Sequence, residues 1–133
     1  MTGPVRDGRA MVSGMDPALV PGEWIFAHVP GAAPDLIAAA IALFRETEGL
    51  TLVLPREVAA AAGLDAGQPM ARIVLQVHSA LDGVGLTAAV AGALAAAGIA
   101  CNVIAAFHHD HLFVPAARAE EALAVLLAAQ AAA

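Results

Sequence analysis

The chain has 133 residues, a net charge of −6 and a pI of about 5.1, enough for one compact unit or two half-size modules sharing a core. All six basic residues are arginine, and they are scattered. That excludes nucleic acid and anionic membrane surfaces as main partners, since both need clustered cations. A chain of this size buries roughly 70% of its unfolded surface and needs neither disulfide nor metal to fold. The hydrophobic share is 60%, but much of it is alanine, which buries little area. The single cysteine, Cys101, has no internal partner, which points to a reducing cytoplasm.

Residues 1–15 carry Gly, Pro and charge without periodicity and read as a flexible N-terminal tail without the apolar core of a leader. Glu23 to Val29 has the aromatic and β-branched content of a strand, and Asp35 is placed to cap a helix over the residues that follow. Ile41 to Glu46 is ambiguous. Helix propensity would continue the preceding helix, whereas the turn at Thr47-Glu48-Gly49 and the strand Leu50 to Leu54 suggest a hairpin. Pro55 then stands where a helix starts, and Gly63 stops that helix. Residues 64–70 have linker composition.

The second half reads more cleanly. Residues 71–78 form a strand, Gly85 to Ala97 an alanine-rich helix capped by Gly98, and Ile99 to Phe107 a second strand. His108 to His111 is a turn, Leu112 to Pro115 a short strand, and Ala116 to Gln130 the last helix. The run Leu86 to Phe107 is long enough to mimic a membrane span, but its polar residues and the break at Gly98 argue against one.

A strand, a proline and a helix recur in both halves: LTLVL, Pro55, REVAAAA, and HLFV, Pro115, AARAEEALA. If each half is β-α-β-β-α, residues 41–46 become a hairpin strand. The sequence therefore predicts an α+β, ferredoxin-like fold of two such halves in tandem, a reduced one over 16–66 and a complete one over 67–133.

Two segments carry candidate chemistry. Ser79 to Leu86 joins a strand to a helix, and Gly83 and Gly85 let the backbone approach a ligand at the helix N-terminus. Asp82 there either caps the helix or holds an ammonium group. The second segment, Phe107-His108-His109-Asp110-His111, invites a metal reading. Strand alternation lets at most two of its side chains reach one site unless a turn gathers them. The competing reading is a hairpin turn whose polar residues line a pocket or face solvent. His78 and Ser79 are neighbours on a strand and diverge, and no catalytic constellation is evident.

The motifs V-H-S-x-L-x-x-V-G-L-T-A-A-V, A-G-I-x-C-N-V and H-D-H-L-F-V-P, with F-R-E-x-E-G-L-T-L-V-L in the first half, resemble a bacterial family of small ACT-domain proteins of formerly unknown function. The family is similar to the tandem ACT domains of animal cytosolic arginine sensors. This resemblance implies a non-catalytic regulatory module that binds a small molecule, an amino acid above all, usually between two modules and without a cofactor or a bound metal. It places an acidic ligand contact on Asp110, an aromatic one on Phe107, and backbone contacts on Ala80, Asp82, Gly83, Val84, Gly85 and Leu86. Where those sensors carry a glutamate in the turn, this chain has Gly83, which argues against arginine itself. The open edge and apolar face of such sheets predict a homodimer. The alternatives are an interaction module with a vestigial pocket and, behind it, a metal-dependent enzyme built on the histidine cluster.

Overall fold

The computed structural model describes residues 3–64 and 67–133. The chain divides into two compact units, one built from 1–21 with 71–133, the other from 22–70. The elements, in order, are α1 (Gly8–Ser13), β1 (Pro17–Val29), α2 (Pro34–Ala39), β2 (Ala42–Glu46), β3 (Gly49–Pro55), α3 (Arg56–Ala61), β4 (Met70–Leu75), α4 (Leu86–Ala96), β5 (Asn102–Ala105), β6 (Asp110–Pro115) and α5 (Ala119–Ala132). A 3-10 turn, Ala116–Arg118, leads into α5. Each half therefore has the β-α-β-β-α order expected from the repeat. No helix among the described residues is long and apolar enough to cross a membrane.

In the unit of residues 22–70, β3 lies between β2 and β1, antiparallel to both. The ambiguous segment resolves as strand. Helix α2 stops at Ala39, and Ala42 to Glu46 pairs with Val53 to Gly49 across a two-residue turn at Thr47 and Glu48. Alternation explains the burial: Ile25, Ala27 and Val29 on β1 and Leu50, Leu52 and Leu54 on β3 turn to one face, where Leu36, Ile37, Val58 and Ala59 of α2 and α3 cover them. Phe26 and Phe44 alternate to the other face and stay 41% and 70% exposed. Asp65 and Ala66, in the expected linker, lie outside the described residues.

In the other unit β6 lies between β4 and β5, and β5 pairs antiparallel with β6 from Asn102↔Phe113 to Ala105↔Asp110. The alanine-rich helix α4 buries a stripe of Leu86, Val90 and Leu94, spaced four residues apart on one face. That stripe packs with Ile73 and Leu75 of β4, Leu112 and Val114 of β6, and Ala122 and Leu126 of α5. Arg118 closes the far end of α4, donating from Nη1 to the Gly98 carbonyl at 2.8 Å and from Nη2 to that of Ala97 at 3.1 Å.

Among the described residues 3–15 the N-terminal segment is anchored rather than loose. Val5 forms a parallel bridge with Ser79, its N–H donating to the His78 carbonyl at 2.7 Å and its carbonyl accepting from Ala80 at 2.8 Å. Asp7 caps α1 by accepting from the Ala10 N–H at 2.8 Å. Met11 and Met15, 1% and 0% exposed, belong to the core of this unit. Gln130 of α5 clamps the exit of α1, donating to the Ser13 carbonyl and accepting from the Asp16 N–H. The anchors are two methionines four residues apart and a handful of polar contacts, too sparse a pattern to read as a helix in a Gly-rich stretch.

Candidate functional site

The candidate site lies within the unit of residues 1–21 and 71–133, at the start of α4. It is a crevice of about 120 Å³ lined by Met11, Ser79, Ala80, Leu81, Gly83, Gly85, Leu86, Thr87, Ala105 and Asp110. Three segments build it. The β5–β6 hairpin closes with the Ala106 N–H donating to the His109 carbonyl at 3.0 Å, which sets Ala105 opposite Asp110 at the end of the ladder. Alternation then turns Asp110 to the same face as Leu112 and Val114, the face that α4 covers.

The second segment is the loop after β4. Gly85 sits at φ +117° as the N-cap of α4, a conformation that side chains rarely adopt. No side chain caps this helix, so its first amide groups have no intrahelical acceptor and can serve an anion. The third segment is α1, which brings Met11 to the crevice. It fits closely because residue 8 is glycine: a Cβ there would collide with the Val84 carbonyl oxygen.

Asp110 is the one buried charged residue among those described, at 8% exposure. Ser79 Oγ donates to its Oδ2 at 3.1 Å. Among the described residues this is its one side-chain hydrogen bond, and no arginine or histidine forms an ion pair with it. A carboxylate shielded from water and supplied with one neutral donor lacks its counter-charge.

Of the eight residues expected at a ligand site, the structure brings five together at the crevice: Ala80, Gly83, Gly85, Leu86 and Asp110. The other three do not line it. Asp82 points to solvent and pairs with Arg6, its Oδ1 3.2 Å from Nε. Val84 is 82% exposed, while its carbonyl backs Gly8. Phe107, 73% exposed, belongs to a ring cluster with His78 at 6.4 Å and His108 at 4.9 Å between centroids. Met11, Thr87 and Ala105 were not legible as site residues, whereas Leu81 lies in the loop segment already singled out. Ser79 was placed in the loop, but its bond to Asp110 spans 31 residues and had no local signal.

The histidines do not gather around Asp110. His109 Nδ1 faces the Val77 carbonyl at 3.4 Å, and His78 and His108 face one another with centroids 5.2 Å apart. Among the described residues no three His, Cys, Asp or Glu side chains converge as metal ligands. Cys101 is half-buried, and burial pushes its thiol pKa up, away from the reactive thiolate.

Two β-α-β-β-α halves, each with helices packed on one face of an antiparallel sheet, define the ferredoxin-like α+β class. ACT-domain models match the chain over residues 5–71 and again over 71–128. The chain thus belongs to the ACT-domain family and carries two such domains in tandem. It is similar to a Vibrio cholerae protein of unknown function described as a possible transport protein, with 45% identity over 92% of this chain and 94% of that one and a TM-score of 0.83. An Agrobacterium tumefaciens protein is 23% identical over 86% and 87%, with a TM-score of 0.69. The ligand-free regulatory subunit of aspartate kinase from Thermus thermophilus is 14% identical over 85% and 95%, with a TM-score of 0.62. The last two likenesses are of fold alone. No curated protein matches the chain.

Proposed function

We propose that this protein is a non-catalytic regulatory module of the reducing cytoplasm that binds a free amino acid in the crevice beside α4. The observation that carries the reading is Asp110, a nearly buried carboxylate with no cationic partner among the described residues. An α-ammonium group supplies the missing charge. The uncapped first turn of α4, from Leu86 and Thr87 on the same crevice, suits the α-carboxylate. A zwitterion satisfies both at once, which neither a simple amine nor a simple acid does. Membership of the ACT family favours the same class of ligand.

The test is a thermal-shift screen with free amino acids against acetate and methylamine as half-ligands. At a hundredfold excess over Kd, binding raises stability by about 2.7 kcal/mol. Asp110→Asn is expected to weaken amino-acid binding by about 1–3 kcal/mol, the usual loss for a charged hydrogen-bond partner. Undiminished binding by Asp110→Asn overturns the assignment. Equal loss on substituting His108, His109 or His111, restored by zinc, would favour a metal site instead.

We also propose a homodimer. What supports it is Phe44, 70% exposed on β2, the outer strand of its unit, together with Phe26 on the same face. Sedimentation of the wild type at micromolar concentration is expected to give a dimer and Phe44→Glu a monomer. A monomeric wild type removes this proposal.

A further inference from the structure

One wall of the crevice comes from outside the β-α-β-β-α repeat, and the space it bounds is small. We infer that the site selects an amino acid with a side chain no larger than a methyl or hydroxymethyl group, and that Met11 is the residue setting that limit. The inference rests on the amino-acid reading above and adds the ligand's size and the residue that reads it.

The crevice volume of about 120 Å³ matches roughly four liquid water molecules at ~30 Å³ each. Pockets that enclose drug-sized ligands run to about 300–1,000 Å³. An ammonium group, a Cα and a carboxylate occupy most of such a space. On its inner side the remainder is bounded by apolar groups that are themselves buried: Met11 at 1% exposure, Leu86 at 4% and Ala80 at 9%.

A methionine is ordinarily a soft boundary, since its thioether bends out of the way. Here both its backbone and its tip are held. A Cβ added at Gly83 would stand 3.0 Å from Met11 Cε and 3.2 Å from Sδ, so the thioether end lies against the loop and has little room to swing toward it. Upstream, the Val5 bridge and the Gly8–Val84 approach fix the entry to α1. Downstream, Gln130 Nε2 holds the Ser13 carbonyl at 3.0 Å. A branched or long ligand side chain directed at Met11 must therefore move α1 as a body.

Calorimetric titration of the full chain with glycine, alanine, serine, valine, leucine and arginine tests this. The three small amino acids are expected to bind, with affinity falling roughly tenfold or more for each branch or methylene that no longer fits. Met11→Ala is expected to move the optimum to valine or leucine, and Met11→Leu, which conserves volume, to keep the wild-type ranking. Gly8→Ala lies outside the crevice but displaces α1, and it is expected to flatten the ranking. If Met11→Ala melts too low to titrate, the wild-type ranking and Gly8→Ala decide. Binding led by leucine or arginine in the wild type, or an unchanged ranking in a folded Met11→Ala or in Gly8→Ala, overturns this inference and leaves the amino-acid reading standing. No binding by any of the six removes both.

Discussion

The two halves share one plan, and the proline that ends the third strand in each aligns them: Pro55 with Pro115. In that alignment Leu50 of the first half occupies the place of Asp110 in the second. They are buried to the same degree, 9% and 8% exposed. One is an apolar member of the core cluster, the other a carboxylate at a crevice. The helix starts differ in the same sense. Gly85, at φ +117°, opens α4, whereas Ala33, at φ −138°, opens the six-residue α2. The same topology thus hosts a filled core in one half and a candidate site in the other, and a few positions make the difference.

The largest expected effect comes from exchanging those two residues. Leu50→Asp places an uncompensated charge in the core of the first half and is expected to cost about 3–5 kcal/mol in urea unfolding. Asp110→Leu removes such a charge. It is expected to leave stability unchanged or raised while abolishing amino-acid binding, the trade seen where a group is kept for function. A loss of stability from Asp110→Leu as large as that from Leu50→Asp would make Asp110 structural.

Next come the helix starts. Gly85→Ala forces a side chain into left-handed backbone and is expected to cost about 1–2 kcal/mol, with weaker ligand binding because the first turn of α4 moves. Ala33→Gly changes only a residue with ordinary backbone and is expected to cost a few tenths of a kcal/mol by denaturant midpoint. Equal effects would mean that the backbone at residue 85 is not constrained by the site.

The shared plan was legible because it is written in short-range signals. The proline-marked repeat turned Ala42 to Glu46 from a helix continuation into a hairpin strand, against its propensity. The turn at Thr47 to Gly49 and the strand Leu50 to Leu54 supported the same reading. The family motifs added Asp110 and the glycine loop. What stayed hidden depends on chain segments that meet only in three dimensions. Nothing near Met11 announces that it walls a crevice closed by residues 79–87, and nothing near Asp82 announces that Arg6 pairs with it in solvent. Element ends shifted for a similar reason. β1 begins at Pro17, earlier than its aromatic run, and just before it the Met15 carbonyl accepts from the Gln76 N–H at 2.8 Å, a partner distant in sequence.

The smallest effect concerns the position after the exchange pair, where His111 stands in the second half and Thr51 in the first. Burial, then the positive charge of Arg72 and of His109, push the His111 pKa below its ordinary value, with Asp110 opposing them. Its Nδ1 is buried without a hydrogen-bond partner among the described residues, which favours the neutral ring. In the unfolded chain His111 takes a proton at about pH 6.5, whereas in the folded chain it does so only at lower pH. The unfolded state therefore binds more protons between the two values. Stability contributed by neutral His111 is present above about pH 6.5 and declines as the pH falls through that window, levelling off below the folded pKa. Urea unfolding at pH 7.5 and 5.5 is expected to show wild-type stability falling on acidification, and the fall to shrink in His111→Leu. Leucine also removes the orphaned nitrogen, so the variant is expected to be no less stable at pH 7.5. Thr51→Leu serves as the control in the first half, because threonine carries no proton to exchange in this range. The same fall in wild type, His111→Leu and Thr51→Leu would place the acid sensitivity elsewhere in the molecule.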